Sequence, residues 1–221
     1  MRVVIAGGHG KIALILEHLL AARGDSAAGL IRNPAQAAGL TAVGAEPLVI
    51  DLESASAEAV AAHLRGADAV VFAAGAGPGS GADRKETVDR DAAILLADAA
   101  RAAGVRRYVM ISAMGAANPP SAGQPGQDPV FAAYLRAKAA ADEAVCARPE
   151  LDWTIVRPGL LTDDAALGLV RVAKSTGRGA IPRADVAAVL LAVLDAPATI
   201  GKTFELISGD TPIVEAVATL G

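Results

Sequence analysis

Tyr134 and Lys138 stand four residues apart in Tyr134-Leu135-Arg136-Ala137-Lys138, a spacing that puts both side chains on one helical face, one turn apart. A phenol ordinarily titrates at about pH 10 and is a poor acid or base at neutrality. A neighbouring ammonium, together with the charge of a nicotinamide, favours phenolate and lowers that pKa. Tyr134 could then pass a proton to or from a carbonyl while a hydride moves, and Lys138 could also hold ribose hydroxyls. The partner for such chemistry is suggested by Gly7-Gly8-His9-Gly10-Lys11-Ile12-Ala13, directly after the β-branched run Val3–Ala6. Glycines there let the backbone turn tightly and approach a pyrophosphate, whose charge meets the unpaired N–H groups of a helix N-terminus. The stretch from Gly7 through Gly10, Lys11 and Ile12 is expected to lie under the pyrophosphate, with His9 able to touch it.

These residues need a frame, and the chain supplies one. Short apolar runs at Val3–Ala6, Ala27–Ile31, Leu48–Ile50, Ala69–Phe72, Tyr108–Ile111, Trp153–Val156 and Thr203–Ile207 read as strands. Between them lie helical patterns at Lys11–Arg23, Ser56–Leu64, Glu86–Ala103, Phe131–Ala147 and Val186–Leu194, and a short one opened by Asn33-Pro34. Strands separated by helices demand parallel pairing and burial of both sheet faces. The expectation is an α/β doubly wound parallel sheet, a Rossmann fold. It forms one domain over 1–221, with a small substrate-side region from about residue 157. The Pro- and Gly-rich stretch 115–129 reads as a loop.

In such a sheet ligands sit at the carboxyl ends of the strands. An acid at the end of the second strand would read an NAD ribose; here stand Arg32-Asn33. Arg32 can pair with a 2′-phosphate, so NADP(H) is favoured over NAD(H). Asp51 and Leu52 would flank the adenine, Ala73, Ala74 and Gly75 would pass close to the dinucleotide, and Pro158 would border it after the sixth strand.

Composition narrows the partners. With Lys+Arg 20 against Asp+Glu 24, the 221 residues carry no basic footprint for nucleic acid. Apolar runs fall short of the roughly 18 residues that span a bilayer, and the N-terminus enters Arg2-Val3-Val4-Ile5 without a leader pattern, so a cytoplasmic location is expected. The lone Cys146 and the scattered His9, His18 and His63 suggest no metal site. A small-molecule substrate and a monomer or homodimer are expected.

The order VVIAGGHGKIA, LIRNP, VDRDAAILLADAARAAGVRRYVMISAMGA, YLRAKAAADEAV, LDWTIVRPGLLTDD and IPRADVAAVLLAVLD resembles the atypical, NAD(P)H-binding branch of the short-chain dehydrogenases/reductases. That branch includes flavin reductase-like and biliverdin reductase-like proteins. The resemblance covers essentially the whole chain. It implies NADP(H) binding, hydride transfer to or from a small carbonyl, quinone or flavin-like substrate, and Tyr134 and Lys138 as the catalytic pair. It also implies a Ser or Thr after the fifth strand. Here stands Ser112-Ala113-Met114, and the position falls on Ser112 or on Met114, which alternation puts on the same side. The rival functions are a non-catalytic NADP(H)-binding redox sensor and a sugar-nucleotide epimerase or dehydratase. The latter is disfavoured by the roughly 60 residues left after the sixth strand, too few for a large substrate domain.

Overall fold

The structure is a computed structural model that describes residues 1–221 apart from Pro78, Gln124, Pro125 and Gln127, so that part of the expected loop 115–129 lies outside the described residues. Strand β1 (Arg2–Ala6) alternates perfectly: Val3 and Ile5 enter the core on one sheet face, Val4 and Ala6 the core on the other. Around it lie β2 (Ser26–Ile31), β3 (Glu46–Val49), β4 (Ala69–Phe72), β5 (Arg107–Ile111) and β6 (Asp152–Pro158). The helices are α1 (Lys11–Ala22), α2 (Ala37–Ala42), α3 (Ala57–Leu64), the short α4 (Ala82–Arg84), α5 (Ala92–Ala103) and α6 (Pro129–Cys146). The chain closes with β7 (Leu160–Thr162), β8 (Leu169–Ala173), β9 (Ala180–Pro182), α7 (Arg183–Leu194), β10 (Lys202–Ser208), β11 (Thr211–Pro212) and α8 (Ile213–Ala218).

Among the described residues the main sheet runs β3-β2-β1-β4-β5-β6-β10-β8-β11. Strands β3 through β10 in that order are parallel, which makes this a Rossmann-type α/β fold. Leu16, Leu20, Val186 and Leu190 of α1 and α7 fill one face; Val60, Leu64, Leu96, Leu151 and Val145 cover the other. The strand order reverses between β1 and β4. Ala6 pairs with both Leu30 and Phe72, so the loops after β1, β2 and β4 leave the sheet at one level.

Three elements differ from the reading of the sequence. Beyond β6 the sheet is not all parallel: β8 runs antiparallel to β10 and to β11, while β7 and β9 pair separately. These strands are short and half-exposed, so they carry no long apolar run. The helix expected from Glu86 is π-helical over Lys85–Asp91 before it becomes α5, and Lys85, Val88 and Asp89 are its buried residues. At the start of α7, where a capping role for Asp185 is an ordinary expectation of an acid in a first turn, Asp185 is instead fully buried and accepts N–H bonds from Leu167 and Gly168, clamping the loop that leads into β8.

Candidate active site

The turn after β1 is built for close backbone approach. Gly7 has φ of +78°, and a Cβ there would lie 2.7 Å from the Cα of Ala74. A Cβ on Gly8 would lie 2.6 Å from the Cα of Gly29 on β2. The Gly10 N–H closes the turn onto the Gly7 carbonyl at 2.8 Å. Helix α1 starts immediately, with Gly10 at the N-cap, no capping side chain and no acid in the first turn. Its leading N–H groups therefore have no internal acceptor, the arrangement an anionic phosphate satisfies.

A cleft opens beside this turn at the reversal of strand order. Gly7, His9 and Gly10 form one wall, Arg32, Asp51 and Leu52 another, and Ala73, Ala74 and Gly75 the floor, so these expected cofactor residues converge. Lys11 and Ile12 stand outside it. Ile12 is buried, and the Lys11 ammonium bonds Asp163, which is also held by Arg183 at 2.7 Å. Pro158 is buried, and its carbonyl accepts the Met114 N–H at 3.0 Å. Arg32 bonds Glu53 at 2.9 Å, and the same carboxylate oxygen accepts Arg84 at 2.6 Å. The Arg84 guanidinium holds the Glu53 carboxyl below its usual pKa against a smaller opposing effect of burial.

Helix α6 carries Tyr134 and Lys138. Asp128 fixes its start by accepting the N–H groups of Val130 (2.8 Å) and Phe131 (3.2 Å), with Pro129 in the first turn. Near its other end Asp142 pairs with Arg157 of β6 at 2.8 Å, both side chains largely buried. Lys138 is only 3% exposed; its ammonium donates to the Ile111 carbonyl at 3.1 Å, lies 3.4 Å from Asp89 and sits over the Phe72 ring. Asp89 in turn accepts the Ala76 N–H at 3.2 Å, tying the lysine to the loop that floors the cleft. Burial pushes the Lys138 pKa down, and Asp89 opposes it.

The phenol behaves differently from the expectation that Lys138 lowers its pKa. Burial raises the Tyr134 pKa well above its usual value, and the negative charges of Asp89 and Asp142 raise it further. The physical reason is that the lysine charge is already matched by Asp89, so the phenol feels the carboxylates. Tyr134 therefore keeps its proton over the ordinary pH range. Phe131 lies beside it, ring centroids 6.0 Å apart, and the Lys85 ammonium lies over its ring.

Ser112 and Met114 both continue the ladder onto β6, through Ser112 N–H to Val156 O (2.8 Å) and Met114 N–H to Pro158 O. The Ser112 hydroxyl is sealed in, without a hydrogen bond of good geometry, near enough to Asp142 to oppose the burial that raises that carboxyl's pKa. Met114 is half-buried.

Glu53, Arg84, Asp89, Asp142 and Arg157 are absent from the sequence reading. Asp89 and Asp142 had a signal: each interrupts the buried stripe of its helix, where a charge persists only if paired. No group of three His, Cys, Asp or Glu able to hold a metal occurs among the described residues. Nor is any described helix long and apolar enough to cross a membrane.

Residues 7–197 match the model of a family described as NAD(P)H-binding. A Bacillus subtilis protein named as an uncharacterised sugar epimerase is 38% identical over 221 residues, all of both chains. A solved structure from Bacillus halodurans, provisionally named an NAD-dependent epimerase/dehydratase, is 37% identical with a TM-score of 0.89 over 99% of each chain. The oxidoreductase ylbE from Lactococcus lactis is 26% identical with a TM-score of 0.85, covering 100% of this chain and 96% of its own.

The chain belongs to the NAD(P)H-binding family, as the resemblance implied.

Proposed function

From this membership we propose that the protein is an NADP(H)-dependent oxidoreductase acting on a small carbonyl, quinone or flavin-like acceptor. The observation that carries the reading is the junction of two parts. An uncapped glycine turn faces a cleft that Arg32 also lines, and Asp89 links that cleft to Lys138, one helical turn from a neutral Tyr134. The residues present fit a dinucleotide: Gly7 and Gly8 leave the space that a Cβ would fill, and the first turn of α1 offers unpaired N–H groups to the pyrophosphate. The bound nicotinamide would supply the hydride chemistry. The chain would supply Tyr134 as the proton donor, Lys138 as the group that holds ribose hydroxyls, and Asp89 as the residue that positions Lys138. Arg32 would exchange Glu53 for the 2′-phosphate, the basis of a preference for NADP(H) over NAD(H).

A charge-assisted hydrogen bond of this kind is worth about 1.5–3 kcal/mol, so Arg32→Ala is expected to weaken NADPH by about ten- to a hundredfold while NADH changes little. Calorimetry on the two cofactors tests this. Equal losses for both would remove Arg32 from the phosphate site. Gly10→Asp, which sets a carboxylate against the pyrophosphate, is expected to abolish binding of both.

A second reading, a non-catalytic NADP(H)-binding sensor, is favoured by one specific observation: the Ser112 hydroxyl is sealed in the core and the next candidate position is Met114. It predicts tight NADPH binding without turnover. The epimerase name of the Bacillus subtilis relative sets a third assay, interconversion of nucleotide sugars.

A further inference from the structure

Arg84 does not belong to any strand end. It closes the three-residue helix α4, yet it reaches across to Glu53 in the loop after β3. There it meets Arg32, which arrives from the end of β2, on the same carboxylate oxygen Oε2; the other oxygen, Oε1, accepts the Thr87 hydroxyl at 2.7 Å. All three charged groups line the cleft beside the glycine turn. Two guanidiniums within hydrogen-bond reach of one oxygen repel each other, and one carboxylate charge offsets only half of the pair. A phosphate monoester dianion would offset both, and its three oxygens can accept from two forks at once. Both arginine side chains remain roughly half exposed, with donors left over: Arg32 uses one of its nitrogens on Glu53, and Arg84 uses one of its own. Asp51, also on the cleft, is engaged locally by accepting the Glu53 N–H.

We infer that Arg84 is a second ligand for the phosphate on the adenosine ribose, completing with Arg32 a two-arginine clamp that Glu53 gathers until the phosphate takes its place. This rests on the reading of the cleft as an NADP(H) site. It adds a specificity-determining residue from a part of the chain that the β2 end does not reveal.

The test is calorimetric titration of the full chain with adenosine 2′,5′-bisphosphate and with 5′-AMP, which differ only in the 2′-phosphate. Wild type, Arg84→Ala, Arg84→Lys and the distant surface control Arg101→Ala are compared, with thermal unfolding to verify that each is folded. The wild type is expected to bind the bisphosphate at least about tenfold more tightly than 5′-AMP. Arg84→Ala should narrow that ratio by about tenfold or more with 5′-AMP unchanged, and Arg84→Lys should recover part of it. Arg101→Ala should leave the ratio intact. A wild-type preference that survives Arg84→Ala would make Arg84 a surface partner of Glu53 and overturn the inference while leaving the NADP(H) reading standing. Equal weakening of both ligands would also overturn it. Equal binding of both ligands by the wild type would overturn the NADP(H) preference itself.

Discussion

Lys138 and Tyr134 show how a pair that is adjacent by spacing can be electrostatically separate. The lysine is buried against Asp89 and the Ile111 carbonyl, so its charge is spent before it reaches the phenol, and Tyr134 is held protonated by burial and two carboxylates. Removing Asp89 should weaken this hold. In Asp89→Asn one negative charge near the phenol is lost, so the Tyr134 pKa falls while burial still keeps it above its usual value. The alkaline limb of the activity profile is then expected to move to lower pH, with a smaller change in NADPH affinity. Lys138→Ala should move that limb the other way and weaken the cofactor. A profile that stays fixed in Asp89→Asn would separate Asp89 from the chemistry. A second buried acid makes a stability prediction. Glu17 on α1 is fully buried, neither oxygen has a hydrogen-bond partner, and burial pushes its pKa up to about 8 from an ordinary 4.5. Because the folded value is the higher one, its contribution is fully present below the ordinary carboxylate pKa and is lost as pH rises through about 8. That loss is on the order of 5 kcal/mol, at about 1.4 kcal/mol per pKa unit. Denaturant unfolding between mildly acidic and mildly alkaline pH should show the fall, and Glu17→Gln should flatten it.

At the scale of elements, periodicity made most of the frame legible. Strands such as Val3–Ala6 and Ala69–Phe72 are β-branched and buried on both faces, and Leu16 and Leu20 on α1 recur at helical spacing, so pattern and structure coincide there. The pattern fails where burial is partial. In β7–β9 the strands have three to five residues, and Leu160 and Leu169 stay exposed, so buried residues such as Val170 and Ile181 stand in runs too short to mark a strand. The π-helical turn was equally invisible, because its sequence differs little from that of an α-helix; only the charged residue on the apolar stripe, Asp89, marked it. Glycines carried a double message. Gly29 on β2 reads as a weak point in a strand, but a Cβ there would lie 2.5 Å from both Glu17 Oε1 and Leu40 Cδ2. It makes room for the buried acid beneath the glycine turn. Gly29→Ala is accordingly expected to destabilise by about 1–3 kcal/mol, as overpacking does. Combining it with Glu17→Ala should recover part of that loss, because one of the two clashing groups is gone. Strictly additive losses in denaturant unfolding would contradict this packing.

On the scale of the whole molecule, the reversal of strand order between β1 and β4 brings together residues distant in sequence. The turn at Gly7–Gly10, Arg32, Asp51-Leu52 and Ala73–Gly75 share one cleft, and Asp89 connects that cleft to α6. That the expected cofactor residues share a cleft was legible because a fixed topology brings those strand ends together. The expected catalytic pair was legible only as a spacing, since the protonation state of Tyr134 depends on its burial and on Asp89 and Asp142, which the sequence places 45 residues before and 8 after it. An oxidoreductase built this way turns over substrate rather than merely binding NADPH. The most direct measurement is oxidation of NADPH with a panel of carbonyls, quinones and flavins, comparing wild type with Tyr134→Phe. The account predicts turnover by the wild type with at least one acceptor, falling by about 10²–10⁴ in Tyr134→Phe with NADPH affinity nearly kept, the size of effect expected for loss of a general acid. Tight NADPH binding with no turnover above the Tyr134→Phe control across the panel would contradict it.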